Sequence, residues 1–253
     1  MTEPQGGPPF LDALRKRAPM LEALADGPTT QRALRDDLGV ARSTVYKGLR
    51  ELEAAGLVVD GDGGYRLTRM GRLAWRRHDA YLTRLRRLAA AERLLETVPA
   101  DVHLPLSLFE HGHVHVPGRH APERPLERLD ALAETADRLR CLSPSGMPRY
   151  LSDIHERVQA GRQTATLVLE RPALERLAAD CDDYDAVRST TGVELRRIEA
   201  ELPFAVVLFD DDRLGLFGYD DGTLAGAVFA DDETAVRWGE RVFERHRARS
   251  EPA

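Results

Sequence analysis

Cysteine is nearly absent. The 253 residues contain two, Cys141 and Cys181, forty positions apart and in no CxxC pair. That argues against a structural disulfide and fits a reduced, cytoplasmic chain. Lysine is as rare, since Lys16 and Lys47 are the two lysines among 36 basic residues. Long apolar runs are missing too. The longest, such as residues 204–209, fall far short of the roughly 18 residues a membrane span requires. The opening MTEPQGGPPF lacks a basic segment followed by an apolar one, so no signal peptide is expected. Nor is there a G-x-S-x-G elbow, a P-loop or an H-E-x-x-H helix.

What is present is a core-forming composition, 42% apolar, with an uneven charge. Residues 1–98 hold 17 Lys and Arg against 13 Asp and Glu, a net of +4, so the remainder carries −10 of the total −6. A basic head on an acidic body suits a phosphate-binding module joined to one that does not bind phosphate.

The order of patterns predicts an α+β N-terminal winged helix-turn-helix, a long linking helix, then an α/β domain with a mixed sheet. Residues 1–8 are Pro/Gly-rich and read as disordered. The DNA-binding domain is expected over 9–68, the linking or dimerisation helix over 69–98, and the α/β domain over 99–250. Within the head, helical spacing from Phe10 to Leu24 ends at Gly27-Pro28. Thr29 or Thr30 caps a helix bearing Leu34 and Leu38, and Gly39 supplies a left-handed turn residue. A third helix turns Val45, Leu49 and Leu52 inward at i, i+4 and i+7. LVVDGDGGYRLT (57–68) then reads as a hairpin.

In the linking helix, Ala74, Tyr81, Leu85, Leu88 and Leu95 fall near coiled-coil spacing and suggest a dimer seam. Beyond it, strands are predicted at 104–116, 139–142, TATLVLE (164–170), 193–198, 204–209, 214–219 and 224–229. The helices are expected at 125–138, 148–160, 173–179 and 232–247. The last three strands form a meander.

The string TTQRALRDDLGVARSTVYKGLRELEAAGLV (29–58) carries the function. Two helices joined by a glycine turn can present the second to a major groove. The outward positions are Arg42, Ser43, Thr44, Tyr46, Lys47 and Arg50. Arginine can fork onto guanine, and Ser or Thr can serve a base or a phosphate. Thr30 and Gln31 at the preceding helix start, and Tyr65 and Arg66 in the wing, complete the candidate set for double-stranded DNA.

Residues 29–68 resemble the heads of archaeal and bacterial winged-helix regulators. The remainder resembles the middle domain of the archaeal methanogenesis and filament regulator family. The matching stretches are HGHVHVP (111–117), PLERLDALAETADRLRCLSP (125–144), LPFAVVLFDDDRLGLFGYDDG (202–222) and ADDETAVRWGERVFERHR (230–247). The resemblance implies a transcription regulator whose C-terminal domain has a phospholipase-D-like, sugar-sensing-regulator-like fold. At the head, Ala41 stands where such proteins carry a Ser or Thr cap. Phospholipase-D hydrolysis needs a His with a Lys two residues on, and neither lysine follows a histidine in that way.

Three further features are weaker. His111, His113 and His115 would share one face of a strand, neighbours about 6.6 Å apart, either as metal ligands or as polar positions of an edge strand; no cofactor is expected. The acidic turns at 210–212 and 220–221 read as turn chemistry. Ser143, Ser145, Arg149 and Arg171, at strand ends and strand–helix junctions, are candidate contacts for a small effector. The expectation is a cytoplasmic, homodimeric, sequence-specific DNA-binding regulator that senses a small molecule and has no membrane partner. The rivals are an enzyme with a fused winged-helix head and a winged-helix protein-interaction module.

Overall fold

The computed structural model describes residues 10–253, so the reading of residues 1–8 as disordered lies outside the described residues. The chain divides into two compact units, residues 1–85 and 86–253.

The first unit runs α1 (Phe10–Lys16), α2 (Ala18–Ala23), α3 (Gln31–Leu38), α4 (Arg42–Ala54), β1 (Val58–Gly61) and β2 (Gly64–Leu67), and then enters α5 (Arg69–Ala90). Thr30 caps α3, its hydroxyl accepting the Ala33 N–H at 3.2 Å. Gly39 ends α3 at φ 63°, the left-handed geometry that lets α4 leave at once. Leu34, Val45, Leu49 and Leu52 are buried together with Leu21, Leu24 and Leu57. The Met20 side chain packs directly on the α4 backbone at Gly48. A Cβ on Gly48 of α4 would lie 2.4 Å from the Met20 sulfur of α2. β1 and β2 pair antiparallel through Asp60 and Tyr65, with Gly61 opposite Gly64. Thr68 locks the hairpin to the start of α5. Its hydroxyl donates to the Gly56 carbonyl at 2.7 Å and accepts the Gly71 N–H at 2.9 Å.

The predicted continuous linking helix is broken: α5 stops at Ala90 and α6 (Glu92–Thr97) begins after Ala91, which has left helical geometry at ψ 2° and is fully buried. The strand predicted over 104–116 is also corrected. It contains a short helix, α7 (Ser107–Glu110), and only β3 (His113–His115) is a strand. Leu108 and Phe109 are adjacent apolar residues that the core buries from a helical turn.

The rest of the second unit is α8 (Arg124–Thr135), β4 (Arg138–Ser143), α9 (Pro148–Gln159), β5 (Thr164–Glu170), α10 (Arg171–Asp180), α11 (Tyr184–Ser189), β6 (Val193–Ile198), β7 (Phe204–Phe209), β8 (Arg213–Asp220), β9 (Thr223–Ala230), α12 (Glu233–Arg247) and β10 (Glu251–Pro252). One eight-stranded sheet has the order β10-β6-β5-β4-β7-β8-β9-β3. β4, β5 and β6 are parallel, and β7 to β9 form an antiparallel meander, so the sheet is mixed as expected. Alternate side chains feed two cores. Leu139, Leu167, Val207 and Phe217 meet α8, α9, α10 and α11 on one face. Leu142, Val206, Leu208 and Leu216 meet α6, α7 and α12 on the other. The acidic turns are structural. Asp210 and Asp221 take positive φ, and Asp210 Oδ1 accepts the N–H groups of Asp137 and Arg138 at 2.9 and 3.0 Å. No helix among the described residues is long and apolar enough to cross a membrane.

Gly71 tests the first unit, because a Cβ there would lie 1.9 Å from the Leu57 carbonyl oxygen. Gly71→Ala is expected to destabilise that unit by about 1–3 kcal/mol. Trp75 reports on the first unit and Trp238 on the second, and these are the two tryptophans. In urea, the variant should shift the Trp75 emission midpoint in a Trp238→Phe background and leave the Trp238 midpoint in place in a Trp75→Phe background. Equal shifts in both would mean the clash is not local.

Candidate functional site

α4 sorts its residues by period. Val45, Gly48, Leu49 and Leu52 are buried. Arg42, Ser43, Thr44, Tyr46, Lys47 and Arg50 are exposed, Tyr46 by 55%. The stretch 42–50 contains no acidic residue. Among the described residues Arg42, Lys47 and Arg66 form no ion pair, whereas Arg50 is held by Glu53 at 3.3 Å. The helix starts uncapped. Ala41 is the N-cap residue and no side chain bonds to the first turn, Ser43 included, so first-turn N–H groups are left to solvent or to an anion.

Tyr65 does not join the exposed set. It is 9% exposed, with its ring in the core of the unit and its hydroxyl taking the Gln31 amide at 3.4 Å. Gln31 is thereby turned toward the hairpin, and the Thr30 hydroxyl is used as a cap. Thr29 exchanges two backbone hydrogen bonds with Tyr65, at 2.9 and 3.0 Å, which ties the hairpin to the segment before α3. Arg66, the next residue, is exposed. The exposed set is therefore the outer face of α4 and, on the hairpin, Arg66, while Tyr65 and Gln31 help to fix the hairpin.

α4 is held from behind by Glu51, whose carboxylate takes Arg17 Nε at 2.8 Å and Lys16 Nζ at 3.4 Å.

A second feature was only half legible. Leu73 (59% exposed), Tyr81 (56%), Met70 and Leu85 form one stripe along α5, with Leu11 of α1 beside it. Of the predicted seam, Tyr81 and Leu85 are on this stripe. Ala74 packs on the core of the first unit, and Leu88 and Leu95 pack on a core of the second. Met70 and Leu73, one turn apart on the same face as Tyr81, were missed.

In the second unit Ser143 and Ser145 line a cavity, but Arg149 and Arg171 do not. Arg149 is exposed, stacks on Tyr150 at 4.5 Å and pairs with Asp130 at 3.1 Å. Arg171 pairs with Glu199 at 3.4 Å. Of the three histidines, only His113 and His115 are on one strand, and His111 is not. His111 follows α7, while His113 and His115 lie on β3, where His115 sits edge-on to Phe229 at 5.4 Å. Burial, with Arg124 and Arg128 nearby, holds the His115 imidazole below its ordinary value. Among the described residues no group of three or more His, Cys, Asp or Glu is placed to hold a metal ion.

Residues 122–249 match the family described as the methanogenesis regulatory protein FilR1, middle domain, and residues 8–93 match the HVO_A0261 N-terminal domain. Methanogenesis regulatory protein FilR1 of Methanothrix harundinacea (strain 6Ac) is 24% identical over 227 residues, covering 84% of this chain and 50% of the relative. The chain thus spans about half the length of the curated relative it matches. Among solved structures, TrmBL2, an archaeal chromatin protein, aligns with 96% of this chain and 98% of its own at 17% identity and a TM-score of 0.45. NucT from Helicobacter pylori aligns with 56% of this chain and 98% of its own at 8% identity and a TM-score of 0.43.

The Glu51 tie yields a pH prediction. The Arg17 guanidinium and then Lys16 hold this carboxyl down to about 2, below its ordinary 4.5. A folded-state value below the unfolded one means the stabilisation is present above 4.5 and is lost as pH falls toward 2. The urea midpoint of wild type should exceed that of Glu51→Gln at pH 6, and the gap should close between pH 4.5 and 2. A gap that is constant with pH would remove the charged tie from the account of how α4 is held.

Proposed function

The chain belongs to the family of the methanogenesis regulatory protein FilR1 middle domain, and we propose that it is a cytosolic, dimeric transcription regulator that reads double-stranded DNA sequence through its first unit and senses a small effector through its second. The observation that carries the reading is the outer face of α4: six outward polar and basic side chains, no acid, and an uncapped first turn. Taken with the hairpin, this is a winged helix-turn-helix with α4 as its recognition helix. Arg42, Ser43 and Thr44 lie in the first turn, where base edges are reached, and Lys47 one turn on meets a phosphate or a guanine. Arg50 and Arg66 meet backbone. The matched relative's name says that it is a regulatory protein, which supports the same reading.

The rival enzyme reading has little support. A phospholipase-D-like reaction needs the His-x-Lys pair that this sequence lacks. Nucleic-acid binding is tested by selecting sites from a random duplex pool with the full chain. One sequence should be enriched. Arg42→Ala should then cost roughly 1–3 kcal/mol and relax preference at one base position. Lys47→Ala should weaken all sequences alike and lower the salt slope by about one. A pool that never converges would discard the regulator reading in favour of a protein-interaction module.

The apolar stripe on α5 supports pairing with a second copy. Large exposed apolar side chains gathered on one face of a soluble unit mark an interaction surface, and a two-fold dimer matches two heads to two half-sites. Leu73→Asp with Tyr81→Asp places charge on the stripe without touching a buried residue. Light scattering should report monomers, and affinity for the selected site should fall at least tenfold. A dimer that survives the double substitution would move the pairing surface elsewhere.

A further inference from the structure

The core on the α8–α9 face of the large sheet is not filled. A cavity of about 100 Å³ remains between those helices and strands β4, β5, β7 and β8. Protein interiors seldom leave voids larger than a water molecule, and an unfilled one lowers stability in proportion to its volume. For scale, an engineered apolar cavity of about 150 Å³ stays dry and takes up benzene.

The walls differ from one end to the other. Leu129, Leu151, Leu167 and Phe217 make the long sides apolar. The polar groups collect where β4 runs out. Ser143 is 5% exposed and its hydroxyl accepts the Ser145 N–H at 3.2 Å. The Tyr219 side chain of β8 lines the same end of the cavity as the two serines, and burial pushes its phenol above its ordinary value. An apolar cavity with a few converging polar groups at one end is the ordinary form of a small-molecule site, and the carboxyl ends of parallel strands are where such sites collect. The segment after β4 is fitted to the cavity's rim. A Cβ on Gly146 would lie 2.4 Å from Leu177 Cδ1 of α10, so any larger residue there would have to displace the Leu177 side chain.

Charge narrows the ligand. Arg157 is the one charged lining residue, and it is engaged with Asp153, at 3.1 Å to the carbonyl and 3.8 Å to the carboxylate. No lining cation is left for an anion, and the cavity has no acid for a cation. Cys141 lines the wall, but burial pushes its thiol up to about 12, which keeps it neutral and removes covalent thiolate chemistry.

We propose that this cavity binds a small, uncharged molecule the size of one ring, largely apolar, with one hydroxyl or similar hydrogen-bonding group set against Ser143, Ser145 and Tyr219. It rests on the reading of the second unit as the sensing unit and gives that unit its ligand class.

The test uses the full chain with phenol, benzene and benzoate as probes in calorimetric titrations. Phenol and benzene should bind with one-to-one stoichiometry, and benzoate should bind at least tenfold more weakly than phenol. Ser143→Ala should weaken phenol three- to tenfold and leave benzene unchanged, since it removes one hydrogen bond and no volume. Cys141→Phe, which fills the cavity, should abolish both, with its circular dichroism melt confirming a folded chain. Three results would overturn the proposal: no binding of either neutral probe to wild type, benzoate binding as tightly as phenol, or Ser143→Ala weakening benzene as much as phenol. Site selection on DNA with the same preparations keeps the two readings apart. A chain that enriches a DNA sequence but takes no neutral probe loses the cavity and keeps the regulator. One that takes phenol but enriches nothing keeps the cavity and loses the regulator.

Discussion

Strand β7 buries all six of its residues, Phe204 to Phe209. Successive side chains of a strand point to opposite faces, so such a run can be satisfied only if both faces of the sheet are covered. Much of the second unit follows from that demand. Phe204, Val206 and Leu208 require the α12 side, where Trp238, Val242 and Phe243 supply one apolar stripe. Ala205, Val207 and Phe209 require the other, where α8 to α11 each contribute a few residues. The neighbouring strands must be close enough for the layers to meet. Gly218 of β8 has no room for a Cβ, which would lie 2.2 Å from the Thr97 hydroxyl beside α6. The sheet's ends are blunted by size. β3 is three residues long, and β10 is two residues ending in proline, neither of which offers much edge to another chain.

The same demand explains which parts of the fold could be read from sequence. A strand buried on both faces is a continuous apolar run bounded by turn residues, a mark that β7 carries in full and β5, β8 and β9 in large part, whereas β4 and β6 interleave arginines with their apolar residues. Stretches whose burial is settled by contact with distant elements carried no such mark. Leu106 to Phe109 lies inside the strand expected over 104–116, because a short apolar run does not tell a strand from a helical segment, and the core decides it as a helical turn. The break at Ala91 is announced by neither proline nor glycine. It arises where Ala91 and Leu94 are drawn fully into one core while Tyr81 and Leu85 stay exposed.

The outer face of α4 was legible because its inner face was. Once Val45, Leu49 and Leu52 are assigned inward, the remaining positions can only point out. Tyr65 was misplaced for a reason the sequence already held. Period-two alternation puts it on the same face as Leu67, and Leu67 is buried at 3%. The effector residues divide in the same way. Ser143 and Ser145 follow from the position of a strand end. Arg149 and Arg171 are long surface side chains that find carboxylates, and no local pattern foretells such partners. Tyr150 and Arg157 of α9 and Tyr219 of β8 reach the cavity from elements far apart in sequence, so the cavity emerges only when the sheet is assembled.

Arginine count alone would not choose a DNA-binding surface, since the segment beyond residue 98 holds 19 basic residues, more than the head. Pairing is uneven between them, although Arg17, Arg35 and Arg50 of the head are paired and Arg124, Arg128 and Arg241 beyond it have no ion pair among the described residues. Arg140 is bound by Asp211 at 2.8 Å and Glu240 at 3.0 Å and lies over the Phe243 ring at 5.7 Å. Arg196 is held by Glu194, Arg197 by Glu251 and Arg213 by Asp210, each at 2.8 to 3.0 Å. A guanidinium already bound to a carboxylate must give up that partner before it can meet a phosphate, and the carboxylate left behind repels the strand. A cation that is hydrated and unpaired loses only water and releases the phosphate's counterion, which is where the affinity of such contacts originates. Among the described residues, Arg42, Lys47 and Arg66 are exposed and form no ion pair. The proposed DNA-reading face of α4 thus rests on the state of particular charges and not on their number, in a chain that is acidic as a whole.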